Sequence, residues 1–339
     1  MGTDDLSKAF GDASILKAIG AALDGLPERP LRFAVALSGG ADSAMLAAHA
    51  ALVAQQRGIE LHCFHVHHGL QRHADAWQTH VHDLCQLLHV ACHSVCIEVN
   101  DASRDGIESA ARDARYAALA GLAEHAGVDT IMLAHHRNDQ AETVLLRLLR
   151  GAGPTGLAAM APESLRQGFR YLRPLLDIDR AHILAQAERF SQLTGWRPVH
   201  DPTNSDDAYT RAAVRERLAP QLNERWPGWQ SILARHARLS AETALVLDEV
   251  ASHDFAGLEP DHAKHSFSLA AWRRLSAPRQ ALALRYWLAQ AGLRMPSDAR
   301  LHDLMRQMRG LHALGHDRQM RVKHGGHFVC CIRGRVFIE

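Results

Sequence analysis

Ser38-Gly39-Gly40-Ala41-Asp42-Ser43 is a segment whose residue types suit a bound anion. Two adjacent glycines let a backbone approach a phosphate without interference from Cβ. N–H groups at the start of a helix face an anion with the favourable end of the helix dipole. Ser38 and Ser43 add hydroxyl donors, and Asp42 can cap the helix or hold a divalent cation. No lysine stands in the loop, so the spacing is not that of a Walker A motif.

Three further groups carry chemistry. In His135-His136-Arg137-Asn138-Asp139-Gln140-Ala141-Glu142-Thr143, Asp139 and Glu142 are three apart. On a helix they share a face and aim two carboxylates at an ammonium group or a metal. The plainer alternative is an acidic first turn that favours the helix dipole. Arg112 and Arg115 are one helical step apart and can reach one phosphate. His135 is a candidate for proton transfer or for orienting a base, because an unperturbed imidazole titrates near working pH. His65, His67 and His68 cluster at a strand end, yet His65 and His67 share one face while His68 points away. With no cysteine pair to complete a tetrahedral set, loop-lining roles are expected there and structural zinc is not.

These groups need elements to hold them. Apolar runs at 32–37, 60–66, 93–99 and 130–134 read as strands, and each is followed by helical spacing: 42–57, 75–88, 108–125 and 139–150. Such alternation predicts an α/β fold with a doubly wound parallel sheet and ligands beyond the carboxyl ends of the strands. The tail reads as two strands, HFVCCI and RVFIE. A boundary near Leu222 divides the chain into a catalytic domain, 1–222, and a smaller, mainly helical domain with a C-terminal strand pair, 223–339.

Composition narrows the class. Of 339 residues, 47% are apolar and 22% charged, the balance of a soluble globular protein. No membrane span or signal peptide is read. The six cysteines lack C-x-x-C spacing, which argues against an iron–sulfur cluster and for a reducing cytoplasm. Net charge is +1, but residues 261–339 hold 14 Lys and Arg against 5 Asp and Glu. That basic third suggests a docking surface for a phosphate-rich partner, with Arg273, Arg274, Arg306, Arg309 and Arg321 as candidates.

The strand–SGGADS–helix arrangement resembles the PP-loop ATP pyrophosphatases, which implies cleavage of ATP between the α- and β-phosphates. Together with HVHHGL at 65–70, ESAARDARY at 108–116, HHRNDQAETVLLRLLRGAGPTGLAAM at 135–160, RPLL at 173–176 and DPTNSDDAYTR at 201–211, it resembles the tRNA(Ile)-lysidine synthase family. The similarity runs in order through about the first 220 residues and is looser around 278–297. Ala212 stands where that family usually has Asn, and longer members carry a further C-terminal domain.

The resemblance implies ligation of free L-lysine to C2 of the wobble cytidine of tRNA(Ile) with a CAU anticodon, through an adenylated base. ATP and Mg²⁺ are the implied cofactors. Ser38, Gly39, Gly40, Ala41 and Ser43 would hold pyrophosphate, Asp42 the Mg²⁺ directly or through water, and Arg112 and Arg115 the α-phosphate. Asp139 and Glu142 would grip lysine. A homodimer is one open assembly state. The rivals are a PP-loop tRNA thiolase, an amidotransferase-type synthetase and a non-catalytic nucleotide- or tRNA-binding protein.

Overall fold

The computed structural model describes residues 10–67, 74–97, 107–199, 210–311 and 319–339. Positions 68–70 and 201–209, which carry parts of two quoted motifs, lie outside the described residues, as do the side chains at 107–109. The chain divides into two units, Met1–Ala241 and Glu242–Glu339.

The first unit begins with α1 (Ala13–Asp24), whose N-cap Asp12 accepts from the Ser14 and Ile15 N–H groups. The expected alternation follows: β1 (Arg32–Ala36), α2 (Ala41–Arg57), β2 (Glu60–His67), α3 (Ala74–Leu88), β3 (Ala91–Cys96), α4 (Ile107–Ala126), β4 (Thr130–Met132) and α5 (Arg137–Leu149). A one-turn helix, α6 (Pro154–Leu157), leads to a hairpin of β5 (Glu163–Arg166) and β6 (Phe169–Leu172), and then to α7 (Arg180–Thr194). The six-stranded sheet has the order β3-β2-β1-β4-β6-β5. All neighbours are parallel except β5, which runs antiparallel to β6 at the edge.

Strand alternation explains the two covered faces. Phe33, Val35 and Leu37 join a core with Ile15, Ile19, Leu46 and Phe190. Ala34 and Ala36 face the other way, toward Tyr116, Leu119 and Tyr171. A parallel strand buried on both sides therefore reads as a continuous apolar run. From β1 the chain winds outward to β3 and then returns to β4 on the opposite side of β1. The point where the order reverses lies between β1 and β4, and crevices form at the carboxyl ends of such strands.

After α7 come a turn of helix, α8 (Thr210–Ala213), a five-residue π-helical stretch at Val214–Leu218, and α9 (Ala219–Arg225). The long α10 (Trp229–Ala256) follows. The second unit contains β7 (Ser266–Ser268), α11 (Leu269–Arg273), α12 (Ala277–Gln290), α13 (Asp298–Gly310), β8 (Met320–His324), β9 (His327–Ile332) and β10 (Arg335–Ile338). The expected strand pair is β9–β10, and β7 and β8 extend it to an antiparallel sheet in the order β7-β10-β9-β8. Phe267, Trp272, Leu284, Trp287 and Met308 form this unit's own core. Among the described residues no helix is long and apolar enough to cross a membrane.

Candidate active site

The loop after β1 is shaped by its glycines and serines. Gly39 takes φ +88°, and a Cβ there would meet Val81 Cγ2 at 3.1 Å, so any other residue would be strained. Its carbonyl accepts from the Val199 N–H at 2.9 Å, pinning the loop from outside. Ser43 donates to the Gly40 carbonyl at 3.1 Å and accepts from the Ser38 N–H at 3.1 Å. Gly40 is the N-cap of α2 and supplies no side-chain acceptor. The first N–H groups of α2 thus point out of the helix without an internal partner, which suits an anion.

Asp42 projects from that first turn. Its Oδ1 is buried without a hydrogen-bond partner among the described residues, and it lies 3.7 Å from His136 Nε2. His136 is the N-cap of α5, at the end of β4. It forms a capping box with Asp139: the Asp139 N–H donates to His136 Nδ1 at 3.3 Å, and the His136 N–H to Asp139 Oδ2 at 3.1 Å. The plainer reading of Asp139 as a helix-start acid is therefore part of the truth. Burial disfavours the charged His136 ring, but Asp42 and Asp139 outweigh it and raise its pKa. Burial likewise opposes ionisation of Asp139, yet His136, His135 and Arg215 hold its carboxyl below the usual range.

Asp139 and Glu142 are both buried on one face, as their spacing requires. The residue that joins them lies outside every sequence motif. Arg215 donates from Nε to Glu142 Oε1 at 2.6 Å, and from Nη2 to Glu142 Oε2 at 2.9 Å and Asp139 Oδ1 at 3.0 Å. It sits in the π-helical stretch, a distortion frequent at functional sites. Nearby, Arg211 donates to Thr143 Oγ1 at 3.3 Å, and Ala212 is buried.

Arg112 and Arg115 of α4 line a cavity of about 340 Å³ with Ser38, Asp42, Ser43 and His135. Ala36, Leu119, Leu133 and Tyr116 give the same cavity an apolar wall. Arg112 leans over the Tyr116 ring at 5.3 Å. Burial pushes the His135 imidazole down to about 3, with Asp139 opposing the shift and Arg173, Arg115 and Arg112 adding to it. Its Nδ1 is buried with no hydrogen-bond partner among the described residues, which favours orienting a base by a hydrogen bond over taking up a proton. His65 and His67 share a face, with ring centroids 6.2 Å apart, and His65 Nδ1 bonds the Leu37 carbonyl at 2.8 Å.

The basic residues of the second unit differ among themselves. Arg273 donates from Nη2 to the Met308 and Arg309 carbonyls at 2.6 and 2.9 Å, tying down the end of α13. Its Nη2 is engaged within the unit, while its Nε is buried with no hydrogen-bond partner among the described residues. Arg274, Arg306, Arg309 and Arg321 are exposed. Arg306 pairs with Asp303, Arg309 with the Gln280 amide oxygen, and Arg321 with Glu339.

Two family models match the chain: a PP-loop domain over residues 14–222, and a TilS substrate binding domain over residues 267–337. The tRNA(Ile)-lysidine synthase of Bordetella parapertussis is 58% identical over 327 residues, covering 96% of this chain and 95% of that one. The enzyme of the same name from Ralstonia nicotianae is 42% identical and covers 90% of this chain but 64% of its own. That from Polaromonas naphthalenivorans is 38% identical, with coverage of 96% and 90%. Among solved structures, a U34-tRNA thiolase from Methanococcus maripaludis aligns with a TM-score of 0.55 over 67% of this chain and 78% of its own. At 17% identity that likeness concerns the fold alone. The loop, the helix-start carboxylates and the near full-length matches agree, and the chain belongs to the tRNA(Ile)-lysidine synthase family of PP-loop, ATP-using tRNA-modifying ligases.

Proposed function

We propose that this chain joins free L-lysine to C2 of the wobble cytidine of tRNA(Ile) with a CAU anticodon. One juxtaposition carries the reading. His136 Nε2 lies 3.7 Å from Asp42 at the anion-binding loop and 3.4 Å from Asp139 of the carboxylate pair. A site for a polyphosphate and a site for an ammonium group thus share one wall.

In the first step the C2 carbonyl oxygen of the cytosine attacks the α-phosphorus of ATP. The bond from that phosphorus to the bridging oxygen breaks, and its electron pair leaves on pyrophosphate. The N–H groups of the loop and the hydroxyls of Ser38 and Ser43 receive the leaving group. Arg112, with Arg115 beside it, faces the charge that builds on the α-phosphate. Asp42 Oδ1, buried and unpartnered, fits a divalent cation, and Mg²⁺ commonly takes one or two carboxylates plus phosphate oxygens. Such an ion would neutralise phosphate charge.

In the second step the lysine ε-ammonium sheds a proton, the free amine attacks C2, the C2–O bond breaks so that AMP departs with that oxygen, and the bonded nitrogen gives up a further proton. Asp139 and Glu142 hold the ammonium group in place of Arg215, which now bridges them. Released from that bridge, Arg215 suits the lysine α-carboxylate, since guanidinium and carboxylate pair through two parallel bonds. Transfer of labelled lysine to the transcript tests the whole reading.

Docking of tRNA involves Arg274, Arg306, Arg309 and Arg321. Exposed pairs such as Arg306–Asp303 are worth little and exchange readily for phosphate. If three phosphates are neutralised, tRNA affinity should fall about 40-fold between roughly 50 and 200 mM salt. A filter-binding titration checks this, and a flat salt response would remove these arginines from the interface.

A further inference from the structure

The loop has no lysine of its own, and Arg112 and Arg115 belong to the cavity on the α4 side. A second cavity, of about 210 Å³, meets the first at Ser38, Asp42 and Ser43 and is lined also by Gly40, His136, Asp139, Arg180 and Arg215. Arg180 opens α7, and its backbone N–H donates to Asn138 Oδ1 at 3.2 Å, which fixes it against the start of α5. Its Nε is buried with no hydrogen-bond partner among the described residues and stands 3.8 Å from Asp42 Oδ2, too far to bond. Asp42 Oδ1 is orphaned too. Arg180 and Asp42 thus form a loose, half-exposed ion pair beside the anion loop, each with one buried atom lacking a hydrogen bond among the described residues. Leaving such groups unsatisfied is costly, and a ligand carrying both cation and phosphate oxygens would satisfy the two together.

We propose that Arg180 binds the β- and γ-phosphates of ATP and stays on the pyrophosphate as it leaves. The polyphosphate then lies across the loop, with Arg112 at its α end and Arg180 at the other. Arg215 is engaged by Asp139 and Glu142 and is not needed for this task. The inference rests on the reading of the loop as an ATP site and adds a binding residue from outside every motif that identifies it.

Calorimetry on the full chain with Mg²⁺ tests it, using three probes: pyrophosphate, AMP, and an ATP analogue with a methylene bridge between the α- and β-phosphates. Arg180→Ala should weaken pyrophosphate and the analogue by about ten- to a hundredfold, the effect of losing a charge-assisted hydrogen bond. AMP, which lacks the distal phosphates, should bind as it does to the unaltered chain. Arg180→Lys should recover part of the loss, and its thermal melt guards against misfolding. Unchanged pyrophosphate binding would overturn the proposal, as would equal weakening of AMP, which would make Arg180 merely a structural partner of Asp42. If the unaltered chain binds neither pyrophosphate nor the analogue, the reading of the loop itself falls.

Discussion

Asp139→Asn is expected to lower lysine transfer by about a hundredfold or more, while tRNA-dependent exchange between ATP and pyrophosphate stays within about tenfold of normal. The substitution is close to isosteric and keeps an oxygen to accept the His136 N–H, so the capping box of α5 survives in part. It removes the negative charge that now meets Arg215 at 3.0 Å and that, on this account, meets the lysine ammonium. Stripping one partner from a buried charge pair typically costs about 3–5 kcal/mol, which sets the scale. Asp139 is held ionised well below neutrality, so raising the pH should not rescue the unaltered chain's lysine step through this group. Separate assays of exchange and of transfer decide the matter. Equal loss of both would place Asp139 in the ATP site.

Arg112→Ala is expected to act on the opposite half of the reaction, cutting base adenylation by about 10²–10³-fold. Arg112 is exposed, at the wall of the 340 Å³ cavity, and its hydrogen bond to the Tyr116 hydroxyl, at 3.4 Å, is long. Its removal should therefore leave the fold intact, within about 0.5 kcal/mol. Arg112→Lys should restore only part of the rate, because an ammonium group cannot offer two fixed N–H donors to one phosphate. Single-turnover pyrophosphate release measures the effect. A rate within threefold of normal would make Arg112 a surface charge that happens to border the cavity.

The sheet was legible because its strands are covered on both faces. Phe33 to Leu37 is apolar without a break, Leu61 to Phe64 is buried throughout and interrupted only by His62, and the helix after the first strand is capped by Gly40. The β5–β6 hairpin escaped notice because Glu163, Arg166 and Arg170 make its strands polar at the sheet edge. Its turn, Gln167-Gly168, takes φ of +52° and +83°, and the Gly was the available clue. The loop and the carboxylate pair were local patterns, so sequence spacing exposed them. Arg215 was not, because its link to Glu142 spans 73 residues and exists only after the chain folds. Arg180 is equally remote from Asp42 in sequence. The downward shift of His135 comes from burial and from Arg112, Arg115 and Arg173, which the fold brings to it against the opposing Asp139 of its own motif.

The most direct measurement is incorporation of labelled lysine into an unmodified isoleucine tRNA transcript with a CAU anticodon, with ATP and Mg²⁺, beside a matched methionine tRNA. Label in the isoleucine tRNA alone, with one AMP and one pyrophosphate formed per lysine, is the predicted result. Pyrophosphate release without label in either tRNA would contradict the account, because the loop would then activate a base for some nucleophile other than lysine.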